Sequence, residues 1–194
     1  MSEITSNEML FVLTIFKSPE IQFNANSIAK LIGVSSMGAL KIAKKLEKEN
    51  ILLPKRLGKA VFYRLNFNNE YALQYLKFLL KREVEQADSY VKFWVNEIKK
   101  IKSADCAILF GSVLRKQKEA KDIDVLFITN KKKFSLLKKE IEEINMLNVK
   151  KIHPLYQTKG DLINNIKKND KVILNAIKGL IVFGEDLLMS VIAK

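Results

Sequence analysis

Apolar residues recur with helical spacing from the start of the chain: Met9, Phe11, Val12, Leu13, Ile15 and Phe16 follow the polar trio Ser6, Asn7 and Glu8. This predicts a helix over 6–17, ended at Ser18-Pro19 because a residue before proline is driven from helical angles. A short extended piece, 21–23, precedes a second helix over 27–32, capped by Asn24 or Asn26 and closed by Gly33. The third helix, 36–50, has two contrasting faces: Lys41, Lys44, Lys45 and Lys48 on one, Ala39, Ile42, Ala43 and Leu46 on the other. Two strand-like runs, 51–53 and 60–65, then flank the basic tip Lys55-Arg56-Leu57-Gly58-Lys59, a hairpin in which glycine supplies the turn.

Residues 68–101 hold no Gly or Pro and keep a helical pattern that lapses at 86–89, which predicts two helices. The first, with Tyr71, Tyr75, Phe78 and Leu79, links two domains or pairs with a second copy of the chain as a homodimer. The second, with Val91, Trp94, Val95 and Ile98, packs beneath a sheet. A continuous apolar run over 105–110 marks a buried strand, and another strand opens near Asp122. A helix to about Met146 follows, with Leu136, Leu137, Ile141 and Ile144 expected inside. A strand over 149–157 comes next, then a tail with apolar helix faces at Leu162, Ile163, Ile166, Val172, Ile173 and Ile177. The order predicts an α+β protein with three parts: residues 1–67, a helical linker 68–83, and a mixed-sheet domain flanked by helices over 84–194.

Charge changes the picture more than composition does. The 194 residues carry 34 Lys and Arg against 21 Asp and Glu, a formal +13, which favours polyanionic partners: nucleic acid, a nucleotide or an acidic surface. A single cysteine, Cys106, excludes an intramolecular disulfide and, in an apolar run, reads as a buried thiol suited to a reducing cytoplasm. No stretch approaches the roughly 18 apolar residues of a membrane span, and residues 1–8 lack a signal peptide's pattern, so a cytoplasmic protein with no membrane partner is expected.

In the first part, the order helix, helix, turn, basic helix, basic hairpin resembles a winged helix-turn-helix domain of prokaryotic transcription regulators. The resemblance implies double-stranded DNA as partner, with the third helix in the major groove and the wing on the backbone. By position it assigns Ser35, Ser36, Met37 and Lys41 to base edges, and Lys44, Lys45, Lys55, Arg56 and Lys59 to phosphates. The plainer reading of the lysine stripe alone is a solvated helix face.

In the last part, a strand ending in Gly111-Ser112 is followed by Asp122-Ile123-Asp124. Glycine lets a phosphate approach the chain closely, and the Ser112 hydroxyl and the amides of a following short helix can hold it, with Arg115 one turn in. Strand alternation points Asp122 and Asp124 the same way, and two such carboxylates suit an oxygen-loving cation, Mg2+ or Mn2+. By itself each motif is weak. Together they resemble the DNA polymerase β-like nucleotidyltransferase superfamily in its minimal prokaryotic form, over about residues 84–194, with residues 179–185 resembling its closing segment. The resemblance implies a nucleoside triphosphate at Gly111, Ser112 and Arg115, with Asp122 and Asp124 as catalytic metal ligands. It also implies a third carboxylate on a later strand. The strand over 149–157 contains no Asp or Glu. His153, the one histidine, stands in as base or ligand, or is a structural residue beside Pro154; Asp161 falls past the strand in the next helix.

Two functions compete. One is an enzyme that transfers a nucleoside monophosphate from Mg-NTP to a hydroxyl of a protein, an RNA or a small molecule. The other is a catalytically impaired, nucleotide-sensing DNA-binding regulator.

Overall fold

The computed structural model describes residues 4–193; residues 1–3 and 194, which fall within the expected end domains, lie outside the described residues. The chain divides into two compact units, Met1–Leu79 and Leu80–Lys194.

The first unit opens with helix α1, Ser6–Lys17. Its start is fixed by a reciprocal capping box: the Glu8 amide donates to Thr5 Oγ1 at 3.2 Å, and the Thr5 amide to Glu8 Oε2 at 2.9 Å. Strand β1, Phe23–Asn24, runs into α2, Ala25–Ile32, where Asn24 and Ser27 form a second such box. Helix α3, Ser36–Lys48, starts where Ser35 Oγ accepts from the Gly38 amide at 3.0 Å. Strands β2, Leu52–Leu57, and β3, Ala60–Leu65, pair antiparallel, and β1 adds to the other side of β3 in a three-stranded sheet. This is a winged helix-turn-helix. The expected basic loop is mostly strand: Lys55 and Arg56 lie in β2, and only Gly58-Lys59 turn. Gly58, at φ +59°, supplies the positive dihedral that a two-residue hairpin demands.

Helix α4, Glu70–Glu85, carries the division between the units. The chain breaks at 86–88, and Asp88 Oδ1 caps α5, Ser89–Ile98, by accepting from the Tyr90 amide at 2.8 Å. Then follow β4 (Cys106–Phe110), the single turn α6 (Val113–Lys116), β5 (Ile123–Ile128), α7 (Phe134–Leu147) and β6 (Ile152–Gln157). The unit closes with α8 (Lys159–Lys167), α9 (Lys171–Ile177), β7 (Leu180–Phe183) and α10 (Glu185–Ile192).

The four strands make a mixed sheet in the order β6-β5-β4-β7: β5 and β6 are parallel, joined through α7, and β4 is antiparallel to β5 and β7. Side chains alternate between faces. One face, with Leu109, Ile123, Val125 and Phe127, packs on Trp94, Val95 and Ile98 of α5 and on Leu137, Ile141 and Ile144 of α7. Leu136, expected inside, is 53% exposed, because one residue back from Leu137 it is turned by about 100° off the buried stripe. Cys106 is buried, and burial pushes its thiol pKa far up.

Strand β6 is an edge, which is where a strand can carry a proline. Pro154 offers no amide, and Asn145 occupies Ile152 from the side, accepting from its amide at 2.7 Å and donating to its carbonyl at 3.3 Å. The strand edge is thereby closed to further pairing at both positions.

Candidate functional site

On the winged helix-turn-helix, Ser35, Ser36, Met37, Lys41 and Lys44 of the α3 face are exposed, as are Lys55, Arg56 and Lys59 on the wing. Between the start of α3 and the wing lies a cleft of about 540 Å³, lined by Asn24, Asn26, Met37, Leu40, Lys59 and Tyr63 among others. Leu40 and Tyr63 had no site signal in the sequence; Tyr63 comes beside the Asn24 end of the cleft through its pairing with Phe23, which spans forty residues of chain.

Lys45 departs from its expected place. Its ammonium lies 2.5 Å from Glu8 Oε1, whose side chain is only 5% exposed. Burial works to raise the Glu8 pKa, but hydrogen bonds from Lys45 and Thr5 outweigh it and hold the carboxyl below its ordinary value. The bond to Glu8 holds Lys45 above its own. A buried carboxylate needs this partner, so Lys45, its side chain 32% exposed, braces α1 against α3 where the sequence offered it to phosphate.

In the second unit, strand register gathers the site at one end of the sheet. Antiparallel pairing places Phe110, the last residue of β4, opposite Asp124 in β5; parallel pairing places Asp124 opposite His153 in β6. Next to Phe110, Gly111 turns at φ +83°, and a Cβ there would lie 2.2 Å from Asp124 Oδ2 and 3.0 Å from its Cγ. The missing side chain is thus what lets the Asp124 carboxylate lie against the turn. Ser112 begins α6 with a hydroxyl that makes no capping hydrogen bond. Because α6 is one turn long, its dipole is small, and with the Gly111 side taken up by the Asp124 carboxylate, the Ser112 hydroxyl is the polar group this turn leaves uncapped.

The strand opens at Ile123, one residue later than expected, so Asp122 stands exposed just outside the ladder. Arg115 is exposed, and among the described residues it pairs with neither carboxylate. His153 is not a core histidine. Its side chain is 77% exposed, and Nδ1 lies 3.3 Å from Asp124 Oδ1.

Residues 95–178 match the family model described as Polymerase beta, Nucleotidyltransferase. The second unit carries a polymerase β-type nucleotidyltransferase domain. No curated protein matches the chain. Among solved structures, a mutant of ZitR from Lactococcus lactis matches 52% of this chain at 16% identity and a TM-score of 0.37, and the chain spans 64% of that protein's length. The adhesin competence repressor AdcR of Streptococcus pyogenes matches 51% of this chain and 77% of its own at 12% identity and a TM-score of 0.33. The transcriptional regulator Tm0710 of Thermotoga maritima matches 50% and 72% at 17% identity and a TM-score of 0.32. Likenesses this loose carry nothing about function.

Members of the polymerase β family generally use a divalent metal and a nucleoside triphosphate. In this nucleotidyltransferase domain the donors that fit such an ion are the carboxylates of Asp122 and Asp124. In a chain with 34 Lys and Arg, neither is neutralised by an ion pair with one of them among the described residues. No group of three or more His, Cys, Asp or Glu is arranged as a metal cage among the described residues. Asp161 does not complete the set: it sits past the far end of β6, where Thr158 Oγ1 donates to its carboxylate at 2.7 Å and accepts from its amide at 3.1 Å. The bond from the Thr158 hydroxyl, with one from the Thr158 amide to Oδ2 at 3.3 Å, holds the Asp161 carboxyl below the usual range, engaged in the α8 cap. Among the described residues no helix is long and apolar enough to cross a membrane.

Proposed function

We propose that the chain is a DNA-binding nucleotidyltransferase: it holds a metal-bound nucleoside triphosphate at Gly111, Ser112, Asp122 and Asp124, and transfers a nucleoside monophosphate to a hydroxyl. The observation that carries the reading is the seating of the Asp124 carboxylate against Gly111, beside the uncommitted hydroxyl of Ser112. Phosphate turn and carboxylate form one cradle.

A divalent ion, Mg2+ or Mn2+, when bound, supplies charge neutralisation on the triphosphate and polarises the attacking hydroxyl. The protein's part is positional. Ser112 donates to a phosphate oxygen, Gly111 lets the Asp124 carboxylate lie against the turn that holds that phosphate, and Asp122 and Asp124 fix where the ion sits. Arg115, exposed one turn on, meets the outer phosphates. The acceptor oxygen forms a bond to the α-phosphorus, the bond from that phosphorus to the bridging oxygen breaks, the hydroxyl proton is lost to solvent, and pyrophosphate leaves. The acceptor is a hydroxyl of a protein, an RNA or a small molecule.

The winged helix-turn-helix would lay the start of α3, with Ser35, Ser36, Met37 and Lys41, against base edges, while Lys44, Lys55, Arg56 and Lys59 meet phosphates. Both activities belong in a reducing compartment, the cytoplasm, given one buried thiol.

A second reading, a regulator that senses a nucleotide without turnover, is favoured by one observation: β6 brings His153 and no carboxylate to Asp124. Incubating the protein with labelled ATP, magnesium and cell extract separates the two. Label moving to an acceptor with wild type but not with Asp122→Asn/Asp124→Asn supports the enzyme. Transfer that persists in the double variant sinks the metal assignment, and nucleotide binding without any transfer establishes the sensor.

A further inference from the structure

Asp124 and His153 are register partners in the parallel β5–β6 ladder, so they stand on the same face of the sheet. The backbone around His153 is held from both sides: Asn145 clamps Ile152, and Pro154 fixes its own φ on the edge strand. The imidazole is therefore presented from rigid structure, with its side chain 77% exposed and that of Asp124 29% exposed. Their separation, 3.3 Å from Nδ1 to Oδ1, is long for a hydrogen bond. It is close to the spacing of two adjacent ligands on one octahedral ion, whose bonds of roughly 2.1 Å set neighbouring donors about 3 Å apart.

Any cation gripped by Asp124 thus meets a nitrogen from β6, since Ile152–Gln157 contains no Asp or Glu. Magnesium is served by oxygen donors, whereas imidazole suits first-row transition metals; Mn2+, the weakest binder of that series and itself at home among oxygens, still takes a nitrogen donor more readily than Mg2+. We infer that His153 is a ligand in the cation site of this domain and turns its preference from Mg2+ to Mn2+. The inference rests on the proposed role of Asp124 as a metal ligand. Asp124 and His153 are fewer donors than a closed cage, in keeping with the absence of a three-residue cluster among the described residues. They leave positions open for triphosphate oxygens and for water, which is how such ions are usually held beside phosphates.

The test needs no turnover. Free Mn2+ is followed by electron paramagnetic resonance as the full-length protein is titrated with it in the presence of a non-hydrolysable ATP analogue, and Mg2+ affinity is read by competition. Because His153 is exposed, His153→Ala is expected to fold normally. It should lower the ratio of Mn2+ to Mg2+ affinity at least about tenfold, the lower end of what loss of even an outer partner of a metal ligand costs. His153→Asp should bind Mg2+ at least as tightly as wild type while leaving that ratio low, which a merely space-filling histidine would not give. Asp124→Asn should weaken both ions. An unchanged ratio in His153→Ala, with both ions weakened by Asp124→Asn, overturns the inference alone. Equal binding of both ions by wild type and Asp124→Asn, or no binding by wild type, overturns the site reading with it.

Discussion

The candidate recognition surface of the winged unit takes its contacts from one run of chain, residues 35–59, whereas the candidate nucleotide site draws Asp124 and His153 from two strands and Gly111 from the turn after a third, spread over residues 106–157. A surface assembled from one helix and the next hairpin is written in local spacing. Its uncertainty lies in which way each side chain turns. Lys44 and Lys45 are neighbours in sequence and therefore about 100° apart on α3. That is enough for one to face solvent and the other to face Glu8. The strand-built site is the reverse case. Orientation follows from the pleat, but the identity of the neighbour is set by pairing that no local pattern records. Placing His153 beside Asp124 required the parallel register of β5 and β6.

This contrast can be broken most severely at Asp124. If the strand-built site is catalytic, Asp124→Asn should lower nucleotidyl transfer by about 100- to 1000-fold, the scale of losing one preorganised charge-stabilising group. Single-turnover transfer of labelled nucleotide reads it, and a loss under threefold would leave the cradle without a catalytic role. Lys45→Ala probes the other region. Stranding the buried Glu8 carboxylate should cost about 3 kcal/mol of unfolding free energy in urea titrations, while the salt slope of DNA binding stays as in wild type. A changed slope with unchanged stability would return Lys45 to the phosphate-contacting set.

Gly111→Ala sharpens the comparison from the strand side. The positive φ and the 2.2 Å approach to Asp124 Oδ2 put the substitution in a strained site. It should cost on the order of 1–3 kcal/mol of stability, with nucleotide affinity lost by equilibrium titration even at temperatures where the domain remains folded. The wing side is more graded. With Lys44, Lys55, Arg56 and Lys59 on phosphates, log affinity for DNA should fall with log salt at a slope near about −3.6, or roughly a hundredfold from 50 to 200 mM. Lys55→Ala should reduce that slope by about 1, and a flat response would refute phosphate tracking.

The smallest expected effect is on pH. Glu8 titrates below its ordinary 4.5 in the folded state. The stability it contributes is therefore complete above that value and is lost as pH falls through the lower folded value. Thermal melts of the isolated transition assigned to the winged unit should show this acid loss in wild type and little of it in Glu8→Gln.

Element order up to residue 177, both domain types and the Gly-Ser and Asp-x-Asp motifs were legible in the sequence, because caps, helical stripes and turn residues act over a few positions; strand β7 and helix α10 were not. The two helices over 68–101 were separable by the lapse at 86–89, which the structure confirms as the end of α4 and the Asp88 cap of α5. Leu136 and the extent of the wing strands were misread for a related reason: period tells that a face exists, and a residue at its margin is decided by what packs there.

What the sequence alone determined is the chemical inventory: a Gly-Ser turn, two carboxylates, a basic helix and wing, and a strand without an acid. Tertiary structure decided how that inventory is used. It seated Asp124 against Gly111, put Asp122 outside the ladder, spent Lys45 on Glu8 and Asp161 on a helix cap, and brought His153 to Asp124. The physical reason is the same in each case. Charge and hydrogen-bonding groups act over a few ångströms, and which groups come that close depends on strand register and helix packing between segments far apart in the chain.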